Sequence, residues 1–275
     1  MKIQILILAI VGVALQGSAQ EKIFSLGYGK TFVSKDSSTM TIVIDMNRTP
    51  GTSNASDGYY FVNTNFSKTP QWAYYVKPSM DINLGSGVSS SPNNVSVAMP
   101  FGLVYDLTNG KSCIGLSSVY FEGSPEITSD RLFSNTLYDF SIGPYFKSEW
   151  NLEPIVVDLI TGISAANGVR NQRGLSTDYY GRINVPIILK LAAWTAVSDS
   201  GKLYKRIKLS NTIKLNDIYA DDFSVTTEKT YFFDNTQFDF YLTAHLGINI
   251  TYNLGKAEPL FKQNNSFSIG ITLAR

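Results

Sequence analysis

Few residues in this chain could do chemistry. His245 is its one histidine and Cys113 its one cysteine. A serine hydrolase needs a histidine beside a nucleophilic hydroxyl. Two residues beyond His245, on the same face of an extended chain, stands Gly247. Ser164 and Ser268 are distant in sequence, and no spacing draws them to His245. One His and one Cys without ligand-like spacing make no metal centre. Asp217, Asp221 and Asp222 form a loose acidic group that reads as a solvated loop rather than a calcium site. The expectation is a protein with no catalytic residues, no metal and no cofactor.

What remains is a set of single charges scattered along the chain. Lys77, Asp81, Asp106, Asp139, Lys147, Asp158, Arg182, Lys190 and Asp239, with His245, each fall on the polar side of an alternating run. Successive side chains of a strand point to opposite faces, so each run has one apolar and one polar face. The clearest is Phe238–Leu254, where every even position is apolar and His245 and Asp239 lie on the odd side. It reads as one strand, well beyond the usual length of about 5–6 residues. Similar rows begin at Trp72, Val95, Tyr138, Ile155 and Ile183, and the row Phe267, Ile269, Ile271, Leu273 closes the chain. No stretch carries a helical apolar period. Turn residues at Asn109-Gly110 and Asp199-Ser200-Gly201 separate strands. Longer polar loops are expected at 47–58, 85–94, 122–130, 167–177 and 255–265. The segments 203–215 and 218–230 read as two strands or as one broken strand.

The apolar faces could meet a protein core or lipid. Met1-Lys2, an apolar stretch from Ile3 to Leu15 and the small residues Gly17-Ser18-Ala19 read as a secretory signal peptide over residues 1–19. Removing Lys2 brings the net charge from +1 to zero, which leaves no basic excess for a nucleic-acid partner. With a lone cysteine there is no internal disulfide, so the exported chain needs a large core or a membrane to stabilise it. Charged residues are 16% of the chain, below the usual quarter, and Tyr and Phe are abundant, as at membrane interfaces. The polar faces are rich in Gly, Ser, Thr and Asn, as in a lumen. The expected fold is all-β: a closed antiparallel up-and-down transmembrane β-barrel of about twelve strands, with fourteen also fitting, over residues 20–275. In a barrel of that size the lumen charges should meet, pair and narrow the interior.

The sequence Ala19-Gln20-Glu21, the stretch Arg182-Ile183-Asn184-Val185-Pro186-Ile187-Ile188-Leu189-Lys190 and the closing strand Phe267–Leu273 resemble the outer-membrane β-barrel proteins of Bacteroidota. Such barrels often finish on an aromatic residue, whereas this sequence finishes Leu273-Ala274-Arg275. The resemblance implies an outer-membrane location, with outer-membrane lipid and the barrel-insertion machinery as partners, and little about activity. The expected function is non-enzymatic, either narrow-pore solute passage or a structural or surface role. A secreted soluble β-sandwich binding module and an outer-membrane lipid or peptide hydrolase are the alternatives.

Overall fold

The computed structural model describes residues 22–34, 37–47, 72–76, 78–85, 94–107, 114–130, 135–152, 154–172, 177–199, 201, 203–221, 229–257, 262–263 and 265–274. The expected signal peptide, the Asn109-Gly110 turn and Lys77 lie outside them.

Every regular element described is a strand. In chain order they are β1 (Lys22–Ser34), β2 (Ser37–Asn47), β3 (Trp72–Val76 and Ser79–Gly85), β4 (Asn94–Ala98 and Phe101–Asp106), β5 (Ile114–Asp130) and β6 (Asn135–Leu152). Then follow β7 (Ile155–Gly162 and Ser164–Gln172), β8 (Thr177–Val197), β9 (Leu203–Asp221), β10 (Thr230–Tyr241), β11 (Leu246–Ala257) and β12 (Asn265–Ala274). A short piece, Lys262–Gln263, extends the β11–β12 hairpin by pairing with Lys256 and Ala257.

Three strands are written in two pieces because their ladders are interrupted. Both pieces of β4 pair with β5, and both pieces of β7 pair with β6 and with β8. Proline explains these breaks, since it has no N–H to give to a ladder. Pro78 lies in the break of β3 and Pro100 in the break of β4. At the break of β7, Ile163 donates its N–H to the carbonyl of Pro144 at 3.1 Å.

Each strand pairs antiparallel with the next, from β1–β2 through β11–β12. β12 then pairs with β1 over Phe24↔Leu273 to Phe32↔Asn265. Among the described residues the circuit is therefore a closed ring of twelve strands, as expected. Closure leaves no sheet edge. It also requires strands tilted by roughly 35–45°.

Neighbouring strands approach too closely for a side chain at some inward positions, which carry glycine. A Cβ on Gly270 would overlap Leu26 O and sit 2.5 Å from Gly27 Cα, across the β12–β1 seam. One on Gly143 would overlap Ile163 O, across the β6–β7 seam. These seams are diametrically opposite in a ring of twelve.

Burial is the reverse of that in a soluble domain. Ile269, on an apolar row, is 51% exposed and Ile271 48%. Leu246, Ile248, Tyr138, Phe140 and Ile187 are exposed as well. The alternating residues between them, such as Ser266, Ser268, Thr272, Asn249 and Asp139, are buried. A sandwich would bury the apolar rows, so the soluble alternative is contradicted. A belt of apolar side chains around a closed barrel is what a bilayer solvates. Inside the barrel, tyrosines cluster toward the two ends. Tyr180 and Tyr231 pack with Leu137 and Ile218 toward one mouth, and Tyr204 and Tyr241 pack with Ala274 toward the other.

Three expectations need correction. Phe238–Leu254 is two strands, not one: β10 ends at Tyr241, residues 242–245 turn, and β11 begins at Leu246. The pairing sets Phe240 opposite Ile248 and Phe238 opposite Ile250. Residues of the same parity therefore share a face on both arms, so the alternation passes through the reversal unbroken. Second, Glu122–Asp130 is strand rather than loop, as is the 167–172 part of the expected loop at 167–177. Phe121 and Ile127 point outward, but Gly123 and Pro125 between them leave no continuous apolar row. Third, Leu203–Asp221 is a single unbroken strand. A turn at Asp199 and Gly201 lies where it was expected, with Gly201 at φ 78° and its N–H on the carbonyl of Ser198.

Candidate functional site: the barrel lumen

Among the described side chains the polar faces of the strands line the lumen, and several of the charges they carry meet there. Arg182 on β8 points inward and lies 2.9 Å from the Asp139 carboxylate on β6, with both side chains within 4% of full burial. The chain places them on strands separated by β7, so neither local spacing nor a hairpin relates them. Arg182 also donates to the hydroxyl of Tyr180 at 3.0 Å, two residues away on the same face, and its guanidinium lies over that ring.

A second group forms lower on the same wall. Lys147 on β6 is buried, 3.2 Å from Glu149 and 3.4 Å from Asp158 on β7. The hydroxyl of Ser117 donates to the carbonyl of Lys147. Desolvating a charge is costly, and pairing with hydrogen bonding is the usual compensation. Lys190, half-buried on β8, stands in register with Asp158. Glu149 was not among the expected residues, although its spacing of two from Lys147 puts it on the same face.

Asp239 is buried but held by amides. Asn249 Nδ2 donates to it at 2.7 Å and Gln237 Nε2 at 2.8 Å. Around it runs a network of small polar groups: Asn235 to Asn253 at 2.6 Å and Asn253 to Ser266 at 2.9 Å. The wall formed by β11, β12 and β1 is lined by such neutral groups, including Ser268, Thr272 and Ser25. Asp106 is half-buried near the end of β4. Asp81 is in register with Asp45 on β2 and Ser96 on β4. Glu126, another residue that the sequence reading missed, accepts hydrogen bonds from Ser96 and Thr128.

His245 does not line the lumen. It is exposed in the turn between β10 and β11. Its carbonyl accepts from the Ala274 N–H at 2.9 Å and its Nδ1 lies 3.3 Å from the Ala274 carbonyl. Thr243 Oγ1 accepts from the N–H groups of His245 and Leu246, which closes the turn without glycine or proline. The histidine pins the last strand to this turn. Among the described residues, no group of three or more His, Cys, Asp or Glu is placed to hold a metal.

The inner surface is not uniformly covered. On β9 the inward residues Lys208, Ser210, Thr212 and Lys214 are half-exposed, as are Asn235 and Gln237 beside them on β10. The inward residues of β12 and much of β6 are buried. Solvent inside the barrel therefore meets the β8–β10 wall. The outer ends of the strands carry aromatic anchors. Tyr179 and Tyr219 both donate to Asn167 Oδ1, at 2.5 and 2.6 Å, on the outward face. Trp194, exposed and at φ 57°, lies toward the other end, with Arg206 over its ring. Tyrosine and tryptophan at the two margins of an apolar belt match the two interfaces of a bilayer.

No protein-family model matches the chain, and no curated protein matches it. Among solved structures the chain is similar to the NanC porin, with TM-score 0.48 and 14% identity over 91% of this chain and 98% of that one. It is also similar to the outer membrane protein Omp33 of Acinetobacter baumannii, with TM-score 0.32 and 13% identity over 93% and 99% of the two chains. A mutant of the Rh. blastica porin follows, with TM-score 0.25 and 9% identity over 93% and 100%. The barrel assignment rests on the closed pairing and the reversed burial.

Proposed function

We propose that this protein is an outer-membrane β-barrel, exported by a signal peptide over residues 1–19, that passes small polar solutes through a narrow lumen and has no catalytic site. The observation that carries this reading is the half-exposed polar strip along the inside of β8–β10, within a wall whose outside is apolar. The strip holds Lys190, Lys208 and Lys214 beside Ser210, Thr212 and Gln237. Beside it, buried pairs such as Arg182–Asp139, between β8 and β6, fill space and narrow the path. Wide aqueous channels belong to barrels of about 16–18 strands, so a ring of twelve implies small solutes and low conductance. The strip's lysines favour anions over cations. Both termini of the described chain, Pro154, Ser198 with Asp199 and Gly201, and the turn at 242–245 share one end, which is the periplasmic end in barrels of this kind.

Purified protein inserted into planar bilayers tests the proposal. Small, stable single-channel steps with a reversal potential on the anion side of zero are expected in a salt gradient. A membrane-inserted barrel that neither conducts nor lets small sugars or amino acids swell loaded liposomes would overturn it.

A further inference from the structure

The outward face of β9 and β10 breaks the apolar belt. Asn211 faces outward with Leu209, Ile213 and Leu215, and Asp234 and Thr236 face outward with Phe232 and Phe238. Asn211 Nδ2 donates to Asp234 Oδ1 at 2.6 Å and to Thr236 Oγ1 at 2.8 Å. On β9, Asn211 stands between the two margins of the belt: Tyr219 is eight residues toward one end and Lys205 six toward the other. A carboxylate in mid-belt on the lipid side is rare, because nothing there solvates it. Asn211 gives its amide hydrogens to groups of its own chain. What the cluster turns outward is acceptor-rich, and it calls for a cation.

Among the described residues Lys30 is an outward cation, exposed on β1 two residues from the exposed Tyr28. The ladders relate it to the cluster: Lys30 pairs with Phe267, Phe267 with Tyr252 and Tyr252 with Thr236. β1 lies three places from β10 in the ring of twelve, with β11 and β12 between them, about a quarter of the circumference, so the two groups cannot meet within one barrel.

We propose that this surface binds a second copy of the same chain, with Lys30 of one barrel against the Asn211–Asp234–Thr236 cluster of the next. A contact between two different patches repeats head to tail. Here the patches lie on one ladder row about a quarter turn apart, and barrels held upright in one membrane repeat about its normal, so the contact closes into a ring of three or four barrels in the membrane plane. The inference rests on the membrane reading of the outer surface and not on any solute.

Disulfide trapping tests it. Cys113→Ser removes the native thiol. Lys30→Cys and Asp234→Cys are then made in separate chains, each confirmed as folded by heat-modifiable mobility. Oxidation of the two together in liposomes should give a linked pair that neither variant gives alone. The charge swaps Lys30→Asp and Asp234→Lys should each convert the wild-type oligomer to monomer, measured by sedimentation in mild detergent, and the double swap should restore it. Wild-type protein that inserts and conducts but sediments as a monomer, with no cross-link from the mixture, overturns the contact while leaving the solute proposal intact. Protein that fails to insert at all overturns both.

Discussion

Removing the Asp139 carboxylate is the sharpest test of the lumen architecture. In Asp139→Ala the Arg182 guanidinium stays buried, within 4% of full coverage, and loses its carboxylate while keeping the bond to Tyr180 and the contact with that ring. Breaking one side of a buried pair typically costs about 3–5 kcal/mol, because the remaining charge is left without its partner. That corresponds to a roughly 10²–10⁴-fold fall in the folding equilibrium. Replacing both members, as in Asp139→Leu with Arg182→Met, removes the stranded charge along with the pair, and such replacements are often near neutral. The double variant should therefore be more stable than Asp139→Ala. Urea-dependent folding into liposomes, read by heat-modifiable gel mobility, measures all of these. A single variant within about 0.5 kcal/mol of wild type would refute the reasoning, since that is the range of ordinary surface substitutions.

Other consequences follow from the same geometry. Gly270→Val should abolish closure of the β12–β1 seam, because its Cβ would overlap the Leu26 carbonyl, whereas Ser268→Ala on the same strand should cost no more than about 1 kcal/mol. The measurement is the fraction of heat-modifiable protein after refolding. Lys208→Glu with Lys214→Glu should move the reversal potential in a salt gradient toward cation preference, since both side chains face the half-exposed strip. An unchanged potential would place the ion path elsewhere. His245→Ala should lower stability by about 0.5–1.5 kcal/mol through the lost ring contact with Ala274 and leave conductance unaltered. A change in conductance would return His245 to the lumen.

Much of the barrel was legible because period-two alternation depends on a strand's two environments and on nothing distant. The rows ending in Phe267–Leu273 and starting at Ile183 gave strands in the right phase, and Asp139, Lys147, Arg182 and Asp239 lie on the buried, inward side of their strands. Alternation says nothing about direction of travel. The β10–β11 reversal, built from Leu242-Thr243-Ala244-His245 without glycine or proline, was therefore invisible and carried His245 with it. Partner choice was equally hidden. Arg182 and Asp139 meet only because β7 lies between their strands and both side chains reach across it inside the barrel. The outward cluster at Asn211 escaped because its residues come from two strands, and each alone reads as an isolated lapse in an apolar row.

The central claim is that the apolar rows face lipid and the polar rows face a lumen. Site-directed fluorophores on β12 in a Cys113→Ser background test it directly, with one label at Ile271 or Ile269 and another at Ser268. Lipids brominated in their acyl chains should quench the labels at Ile269 and Ile271 strongly and the label at Ser268 little. Equal quenching at both positions, or strong quenching at Ser268 alone, would contradict the barrel described here.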